Sequence, residues 1–502
     1  MLEALSGFLS FQTILAIFGG VIAGIIGGSM PGISPSMTIA LLLPLSLYMP
    51  SSTAIAMMMG AYQGAMMGGS ISAILINTPG TASAAATMLD GYPMNQKGQT
   101  RKALQSALYS SCTGGLVGTI VLLLCAGLLA KVALMFGPPE YFGLMLLSLS
   151  LIAGISGKSM VKGFMAAMVG MLVSMIGLDP IYATARMTFG AIALSDGVDT
   201  LSVFIGAFAI SEILVQLGEG RNKLNEPIKT VSAKEGSLTL KEYLSQWFNM
   251  IRSGILGSVI GILPGVGGST AAFVAYAAAQ KSNKKKEHEF GTGIIEGVFA
   301  PEAANNAVCG GALVPMLTLG IPGDVVTAIL VGALIAHGIK PGPLLFRDHM
   351  GDVYMIYAAM ALAIIALAIV GTLGVPVFSK VVSVRKSILL PCVFVICFIG
   401  TFASKSNYFS CWMMLVFGVI GFLLRKTDFK LSPMIIAFVI GSSCESNFRR
   451  SLIMNPALGW KIFFTRPLAI AFIVIAIVAS AWMIRSNIKS QKKTSAQTTN
   501  EK

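Results

Sequence analysis

Residues 24–36 read GIIGGSMPGISPS, and residues 257–269 read GSVIGILPGVGGS. Both stretches follow the pattern GxxxGxxPG and then reach a serine. A second pair shares another Pro-Gly: residues 68–81 read GGSISAILINTPGT, and residues 311–324 read GALVPMLTLGIPGD. The offsets between the copies, 233 and 243 positions, are nearly equal, and the order is preserved. The sequence therefore predicts that the chain consists of two related halves.

The chain around these stretches is too apolar for a water-soluble protein. Of its 502 residues, 55% are hydrophobic and only 11% are charged, and the mean hydropathy is +0.79. Soluble domains carry about a quarter charged residues. A helix that crosses a bilayer needs roughly 20 apolar residues, and long apolar stretches occur at 103–136, 201–217, 355–377 and 467–483. The predicted fold is an all-α polytopic membrane protein with about 10 to 14 membrane-inserted segments.

The Lys and Arg residues predict the topology, because cytoplasmic loops are enriched in them. By this rule 26 of the 35 Lys and Arg residues are cytoplasmic, in the segments 97–102, 158–162, 221–252, 281–286, 380–386, 425–430 and the tail from 485. Four parts follow from this assignment: a membrane half at 1–218, a cytoplasmic linker at 219–250, a second membrane half at 251–484, and a cytoplasmic polar tail at 485–502. The same assignment places residues 446–466 on the outer side of the membrane, although this segment contains four basic residues. Either a neighbouring span is re-entrant, or these charges face incoming anions.

Flanking charges also predict the relative orientation of the two halves. The apolar hairpin at 11–49 has few charges on either side, so both of its ends should lie outside. Its counterpart at 251–280 is flanked by basic segments, so both of its ends should lie inside. The halves are therefore predicted to be inverted-topology repeats with re-entrant or broken helices at the Pro-Gly pairs. In secondary transporters this arrangement places the substrate site near the membrane midplane.

The sequence gives little support to other function classes. The net charge of +14 is spread among short loops and forms no stripe for nucleic acid. The seven cysteines form no CxxC and the three histidines are isolated, so neither a disulfide framework nor a metal site is expected. Gly157, Lys158 and Ser159 resemble the end of a nucleotide-binding loop, but Ile152 stands where that motif requires glycine. We therefore expect that the chain is not an enzyme and that it binds no cofactor other than a coupling Na⁺ or H⁺.

The Pro-Gly pairs mark the candidate substrate site. Proline removes a backbone hydrogen bond and glycine relaxes the chain, so neither continues a regular helix. In a membrane such a break lines a cavity or is covered by protein, and a plain packing kink is the alternative. Helix ends at the breaks present N–H groups and a dipole that favour anions. The predicted substrate-binding residues are Pro31, Gly32, Ser34, Ser36, Asn77, Thr78, Pro79, Gly80, Thr81, Pro264, Gly265, Gly267, Gly268, Ser269, Thr270, Gly320, Pro322 and Gly323.

Polar residues in or beside the apolar segments are candidates for contact with a coupling ion. A carboxylate is costly inside a membrane and therefore suggests a function. A carboxylate with amide and carbonyl oxygens could hold Na⁺, and a single carboxylate could hold a proton. The candidates are Glu296, Glu302, Asn305, Asn306 and Asp324. The alternative for the two glutamates is that they cap helices or pair with the basic loop at 281–286.

Longer stretches resemble a known family. Residues 261–276 read GILPGVGGSTAAFVAY, residues 290–315 read FGTGIIEGVFAPEAANNAVCGGALVP, and residues 319–323 read LGIPG. Together with PGISPS at 31–36 and NTPGT at 77–81, they closely resemble the large membrane subunit of tripartite tricarboxylate transporters, the TctA family. The resemblance covers nearly the whole chain.

The resemblance implies a secondary transporter of the bacterial inner membrane. In this family a periplasmic solute-binding protein delivers a carboxylate, a small four-span membrane subunit assists, and the large subunit forms a translocation path driven by an ion gradient. The substrates of the family include tricarboxylates, dicarboxylates and aromatic acids, so the carboxylate is not fixed. An anion channel with glycine-rich re-entrant loops is the alternative function. The number of copies in the assembly is left open.

Overall fold

The computed structural model describes residues 10–154, 160–179, 181–218, 236–282, 289–381 and 386–500. Almost all of this chain is helical. The helices are α1 (Phe11–Ser29), α2 (Pro35–Ser46), α3 (Ser51–Ile76), α4 (Ala84–Gln96), α5 (Thr100–Ala133), α6 (Pro138–Gly154), α7 (Met160–Ser174), α8 (Thr200–Gly218), α9 (Leu240–Ser245), α10 (Trp247–Ile262), α11 (Gly267–Ser282), α12 (Glu296–Leu319), α13 (Val325–Ala336), α14 (Pro343–Asp348), α15 (Met350–Val381), α16 (Lys386–Lys405), α17 (Tyr408–Lys426), α18 (Leu431–Met454) and α19 (Pro467–Asn500). Two short strands, β1 (Gly177–Leu178) and β2 (Ala185–Arg186), pair antiparallel.

Six helices in the described part of the chain are long and apolar enough to cross a membrane, namely α1, α5, α8, α15, α17 and α19. Large side chains on them, such as Leu124 and Leu128 of α5 and Ile477 of α19, are more than half exposed, as lipid-facing side chains would be. The prediction of an all-α polytopic membrane protein is confirmed. Shorter apolar helices such as α2 and α13 accompany these spans, so the number of crossings stays a prediction.

The helices form two compact units, and each unit draws on both predicted halves. The first unit contains residues 1–130 and 201–422, and the second contains residues 131–200 and 423–502. In the first unit α1 packs along α3, and α10 packs along α12. In the second unit α6 packs on α19, and α7 packs on α18. The predicted linker at 219–250 is described only from residue 236, and the boundaries of the halves stay a prediction.

Glycines let the paired helices of the first unit touch at equivalent positions. A β-carbon on Gly24 of α1 would lie 2.4 Å from the carbonyl oxygen of Ala61 in α3. The same contact joins Gly257 of α10 to Ala304 of α12, where the distance would be 2.2 Å. The two contacts are related by the offsets of 233 and 243 positions. The duplication in the sequence is therefore also a duplication of helix packing.

The equivalent helices α3 and α12 cross in opposite directions. Gln63 of α3 accepts a hydrogen bond from Asn306 of α12 at 2.9 Å, and an offset of 243 relates these two residues. Ser70, further along α3, donates to Glu302, which comes earlier in α12. The equivalent helices α3 and α12 therefore pack antiparallel, and the inverted topology of the two halves stays a prediction. The orientation of each half in the membrane stays a prediction.

In the second unit, a basic residue of the segment 446–466 is held in ion pairs. Arg449 donates to Asp179, which follows β1, and lies 3.3 Å from Glu445 of α18. The N–H of Tyr182 and the Arg449 guanidinium hold the pKa of Asp179 well below its usual range. Arg449 therefore forms ion pairs with two carboxylates of the chain and does not present an unpaired charge to an incoming anion.

Candidate functional site

Four breaks between helices of the first unit carry the Pro-Gly pairs. They separate α1 from α2, α3 from α4, α10 from α11, and α12 from α13. Every predicted substrate-binding residue lies in one of these breaks or in the first turn of the helix that follows. In each half the two breaks pack together, because a β-carbon on Gly80 would lie 2.2 Å from the carbonyl oxygen of Gly28. The equivalent distance from Gly323 to Gly261 would be 2.7 Å.

Two of the predicted site residues also cap the first turn of a helix. Ser34 accepts the N–H of Met37 at 3.1 Å and so caps α2. The Oδ1 atom of Asp324 accepts the N–H of Thr327 at 2.7 Å, and the N–H of Asp324 donates to the Thr327 hydroxyl at 2.9 Å. This reciprocal capping box begins α13. Ser34 and Asp324 therefore have a structural role at the breaks beside any role in transport.

The four breaks differ in exposure. Gly32 and Asn77 are exposed, whereas residues 321–324 are buried and residues 264–267 are half-buried. Gly267 has a φ of +67°, and apart from its chain neighbours and the backbone of its own helix no atom of the described residues lies within 4 Å of the place where its β-carbon would stand. The backbone at the start of α11 therefore has open space beside it. A ligand needs such space to approach N–H groups.

The break that contains Gly32 has side chains of α8 beside it. A β-carbon on Gly32 would lie 2.1 Å from Nε2 of Gln216 and 3.2 Å from Oε1 of Glu212, both in α8. Gln216 donates to Glu212 at 2.8 Å. A carboxylate beside Gly32 disfavours a second anion there. Of these two breaks, the one at 264–267 has the more open backbone, at Gly267.

The two predicted asparagines lie where α3 and α12 cross. Both are buried, and their amide groups donate to α3: Asn305 to the carbonyl oxygen of Met66 at 2.9 Å, and Asn306 to that of Gln63 at 3.1 Å. Among the described residues, neither Oδ1 atom has a hydrogen-bond partner. A β-carbon on Gly268 would lie 2.5 Å from Oδ1 of Asn305, so this oxygen faces the break at the start of α11. Two buried amide oxygens without donors are suitable ligands for a cation.

Asp324 is bound to the same part of α3. Its Oδ2 atom accepts the hydroxyl of Tyr62 at 2.7 Å, and both side chains are buried. The structure therefore brings Asp324, Asn305 and Asn306 to α3 within residues 62–66. Sequence analysis missed Tyr62, because a tyrosine inside an apolar stretch belongs to no motif.

Glu302 is fully buried inside α12. Its carboxylate accepts the hydroxyls of Ser70, Thr87 and Ser111, which come from α3, α4 and α5. It lies in the second turn of the helix and does not begin it. The capping alternative therefore does not describe Glu302.

Glu296, in contrast, is the first residue of α12 and accepts the amide of Gln246 at 3.0 Å. This position matches the capping alternative, since a carboxylate at a helix start is favoured by the helix dipole. Residues 283–288 of the basic loop considered as a partner lie outside the described residues.

Asp90 of α4 is another buried carboxylate, and it was not predicted from the sequence. Its Oδ2 atom accepts the hydroxyl of Tyr276 in α11 at 2.8 Å. Its Oδ1 atom accepts three backbone N–H groups at 2.8 to 3.1 Å, those of Gly291, Gly293 and Ile294. Asp90 thus ties α4 to α11 and to the segment before α12. Its position as an acidic residue between apolar segments was the signal that could have identified it.

Comparison with known proteins identifies the family of the chain. The chain matches the family described as "Tripartite tricarboxylate transporter TctA family" over residues 14–436. It is 35% identical over 457 residues to an Agrobacterium vitis protein described as "Uncharacterized 52.8 kDa protein in TAR-I ttuC' 3'region", and the match covers 90% of this chain and 89% of that protein. A second Agrobacterium vitis protein, "Uncharacterized protein in TAR-II ttuC' 3'region", is 32% identical over 236 residues, which cover 47% of this chain and 97% of that protein. No solved structure matches the chain significantly. The chain therefore belongs to the TctA family and is a multi-pass membrane subunit of a tripartite tricarboxylate transporter.

Proposed function

We propose that this chain forms the translocation path of a secondary transporter that takes up small carboxylates, driven by an ion gradient, across a bacterial inner membrane. A periplasmic solute-binding protein delivers the substrate, and a small four-span membrane subunit completes the assembly. Membership of the TctA family supports the assembly. The observation that carries the transport mechanism is the group of polar atoms at the crossing of α3 and α12, beside the break at 264–267.

The start of α11 is the proposed contact for the substrate. This helix is 16 residues long and begins at Gly267, so its first N–H groups and its dipole favour an anion. Ser269 and Thr270 are half-buried in its first turn and add hydroxyl donors. The open space beside Gly267 lets a carboxylate reach the backbone.

The crossing of α3 and α12 is the proposed contact for a coupling cation. Moving one negative charge inward against the membrane potential costs about 2.3 kcal/mol per 100 mV. Helix dipoles can accommodate that charge but supply no work, so a cotransported cation has to provide it. The free Oδ1 atoms of Asn305 and Asn306 and the carboxylate of Asp324 are the oxygen ligands offered at this place.

The test is uptake of labelled tricarboxylates and dicarboxylates by cells that express this chain, the small subunit and the binding protein. Uptake should be saturable, should accumulate substrate above the external concentration and should stop when the binding protein is omitted. An anion channel would instead give conductance in a planar bilayer without the binding protein and without accumulation. That outcome would contradict the proposal and favour the alternative function.

A further inference from the structure

Glu302 lies in the interior of the first unit, and no Lys or Arg of the described residues forms an ion pair with it. Its side chain is 0% exposed. The hydrogen bonds it accepts come from hydroxyl groups, with Ser111 Oγ at 2.9 Å from Oε2. None of the ion pairs between described residues includes it. An ionised carboxylate is strongly disfavoured in such a place unless a positive charge neutralises it.

Close helix packing builds this environment. A β-carbon on Gly118 of α5 would lie 2.4 Å from the carbonyl oxygen of Ala307 in α12, and Gly114 lies against Ala303 in the same way. The glycines bring the backbone of α5 onto α12 beside the carboxylate. Ser111, three residues before the first glycine, therefore reaches Glu302 directly.

Packing alone does not require polar residues here. The offset of 243 positions relates Glu302 to Met59, Ser70 to Leu313 and Thr87 to Leu330. All three equivalents are apolar and buried. The first copy thus supplies the two hydroxyls and the second copy supplies the carboxylate, whereas the equivalent position in the other copy is apolar in each case. A requirement other than packing explains the polar set.

We propose that the Glu302 carboxylate and the hydroxyls of Ser70, Thr87 and Ser111 form a binding site for a coupling cation, Na⁺ or a proton. The inference rests on the proposed function and adds a second cation position beside the one proposed at the Oδ1 atoms of Asn305 and Asn306. A carboxylate with several hydroxyl oxygens suits a hard cation such as Na⁺, and a proton would neutralise the same carboxylate.

Other titratable groups surround this site and need control in the test. Asp90 of α4 lies against Gly297, one turn before Glu302 in α12. Tyr276 of α11 donates to Asp90. The thiols of Cys112 in α5 and Cys309 in α12 lie on helices that carry the site. A response assigned to Glu302 therefore has to disappear when that residue alone is changed.

The test measures the melting temperature of the purified full chain without substrate. One series replaces choline by Na⁺ at fixed pH, and the other varies pH at fixed Na⁺. A cation that binds the folded state raises the melting temperature saturably. If Na⁺ binds, the wild type responds to Na⁺ and Glu302→Gln does not. If a proton binds, the wild type shows no Na⁺ response, and Glu302→Gln flattens the pH series.

The matched control is Glu140→Gln. Glu140 is a carboxylate of the second unit that is 4% exposed and accepts the N–H of Gly137 at 2.9 Å. This variant should keep the wild-type cation response. The proposal is overturned if the wild type responds to neither cation, if Glu302→Gln keeps the response, or if Glu140→Gln loses it equally.

Two milder variants keep the proposal testable if Glu302→Gln does not fold. Ser111→Ala and Thr87→Val each remove one hydroxyl and should weaken the apparent cation affinity about tenfold. Unchanged affinity in both would overturn the site. The melting temperature is measured without substrate and without a gradient. A missing cation response can therefore be distinguished from a failure of gradient-driven uptake.

Discussion

Replacing Gly267 with alanine should abolish uptake while the chain stays folded. Apart from the chain neighbours and the backbone of its own helix, no atom of the described residues lies within 4 Å of the place of the new methyl group, so no packing clash is expected. The φ of +67° is left-handed, and this conformation destabilises a residue that has a β-carbon by about 1–2 kcal/mol. The methyl group would stand beside the N–H groups at the start of α11, in the space proposed for the carboxylate. Loss of uptake should therefore far exceed the loss of stability.

Gly338→Ala is the control for backbone strain. Gly338 also has a left-handed φ of +80° and open space at its β-carbon position, and it follows α13, at the other end of that helix from the break at 320–324. Both variants should lower the melting temperature by a similar small amount, and only Gly267→Ala should lose the initial rate of uptake in proteoliposomes with the binding protein. Near-normal uptake by Gly267→Ala, or equal losses in both variants, would refute the proposed substrate contact. Gly32 is a weaker test, because a side chain there would collide with Gln216.

Three further predictions address the ion, the surface and the topology. Asp324→Asn should weaken the apparent affinity for the coupling cation about tenfold and affect substrate recognition less; equal cation dependence of uptake in variant and wild type would contradict this. Hydrogen bonding to Lys102 at 2.5 Å lowers the pKa of Glu242 from 4.5 to about 2, so this pair should stabilise the chain above pH 4.5 and lose its effect as the pH falls towards 2. The melting-temperature difference between the wild type and Glu242→Gln should therefore shrink from pH 7 to acid, and a constant difference would disprove the assignment. In a background without the seven native cysteines, Glu289→Cys should react slowly with an impermeant maleimide outside intact cells and fast in inverted vesicles, whereas rapid external labelling would reverse the predicted orientation.

The sequence predicted the features that depend on pattern. The apolar stretches identified the membrane class, and the Pro-Gly pairs located the four breaks in the helices. The duplicated GxxxGxxPG pattern predicted two related halves, and its first glycines, Gly24 and Gly257, make the same backbone contact in the structure. These features are predictable because glycine and proline act locally on the backbone.

The polar contacts between distant helices were not predictable from the sequence. Tyr62 and Asp324 are 262 positions apart, and Ser111 and Glu302 are 191 positions apart. Single hydroxyls in apolar helices have no characteristic spacing, so only the packing of α3, α4 and α5 on α12 shows which of them meet a carboxylate. For the same reason the sequence could not separate Glu296, which begins a helix, from Glu302, which is buried within it.

The division into two compact units was also not predicted. The pairs α6 with α19 and α7 with α18 join stretches from the two different predicted halves. Hydrophobic patterning identifies a membrane helix but does not identify its neighbour, because association in lipid depends on close packing of small residues rather than on apolar surface. Gly170, whose β-carbon would lie 2.0 Å from the carbonyl oxygen of Met434, is one such contact between α7 and α18.

The most direct test of the central claim is uptake by proteoliposomes that contain this chain and the small subunit, with the loaded binding protein outside. An imposed inward gradient of Na⁺ or H⁺ should drive the carboxylate above its external concentration without nucleotide. An ionophore that collapses the gradient should abolish this accumulation. Uptake that ignores both gradients, or that only equilibrates the carboxylate across the membrane, would contradict the account.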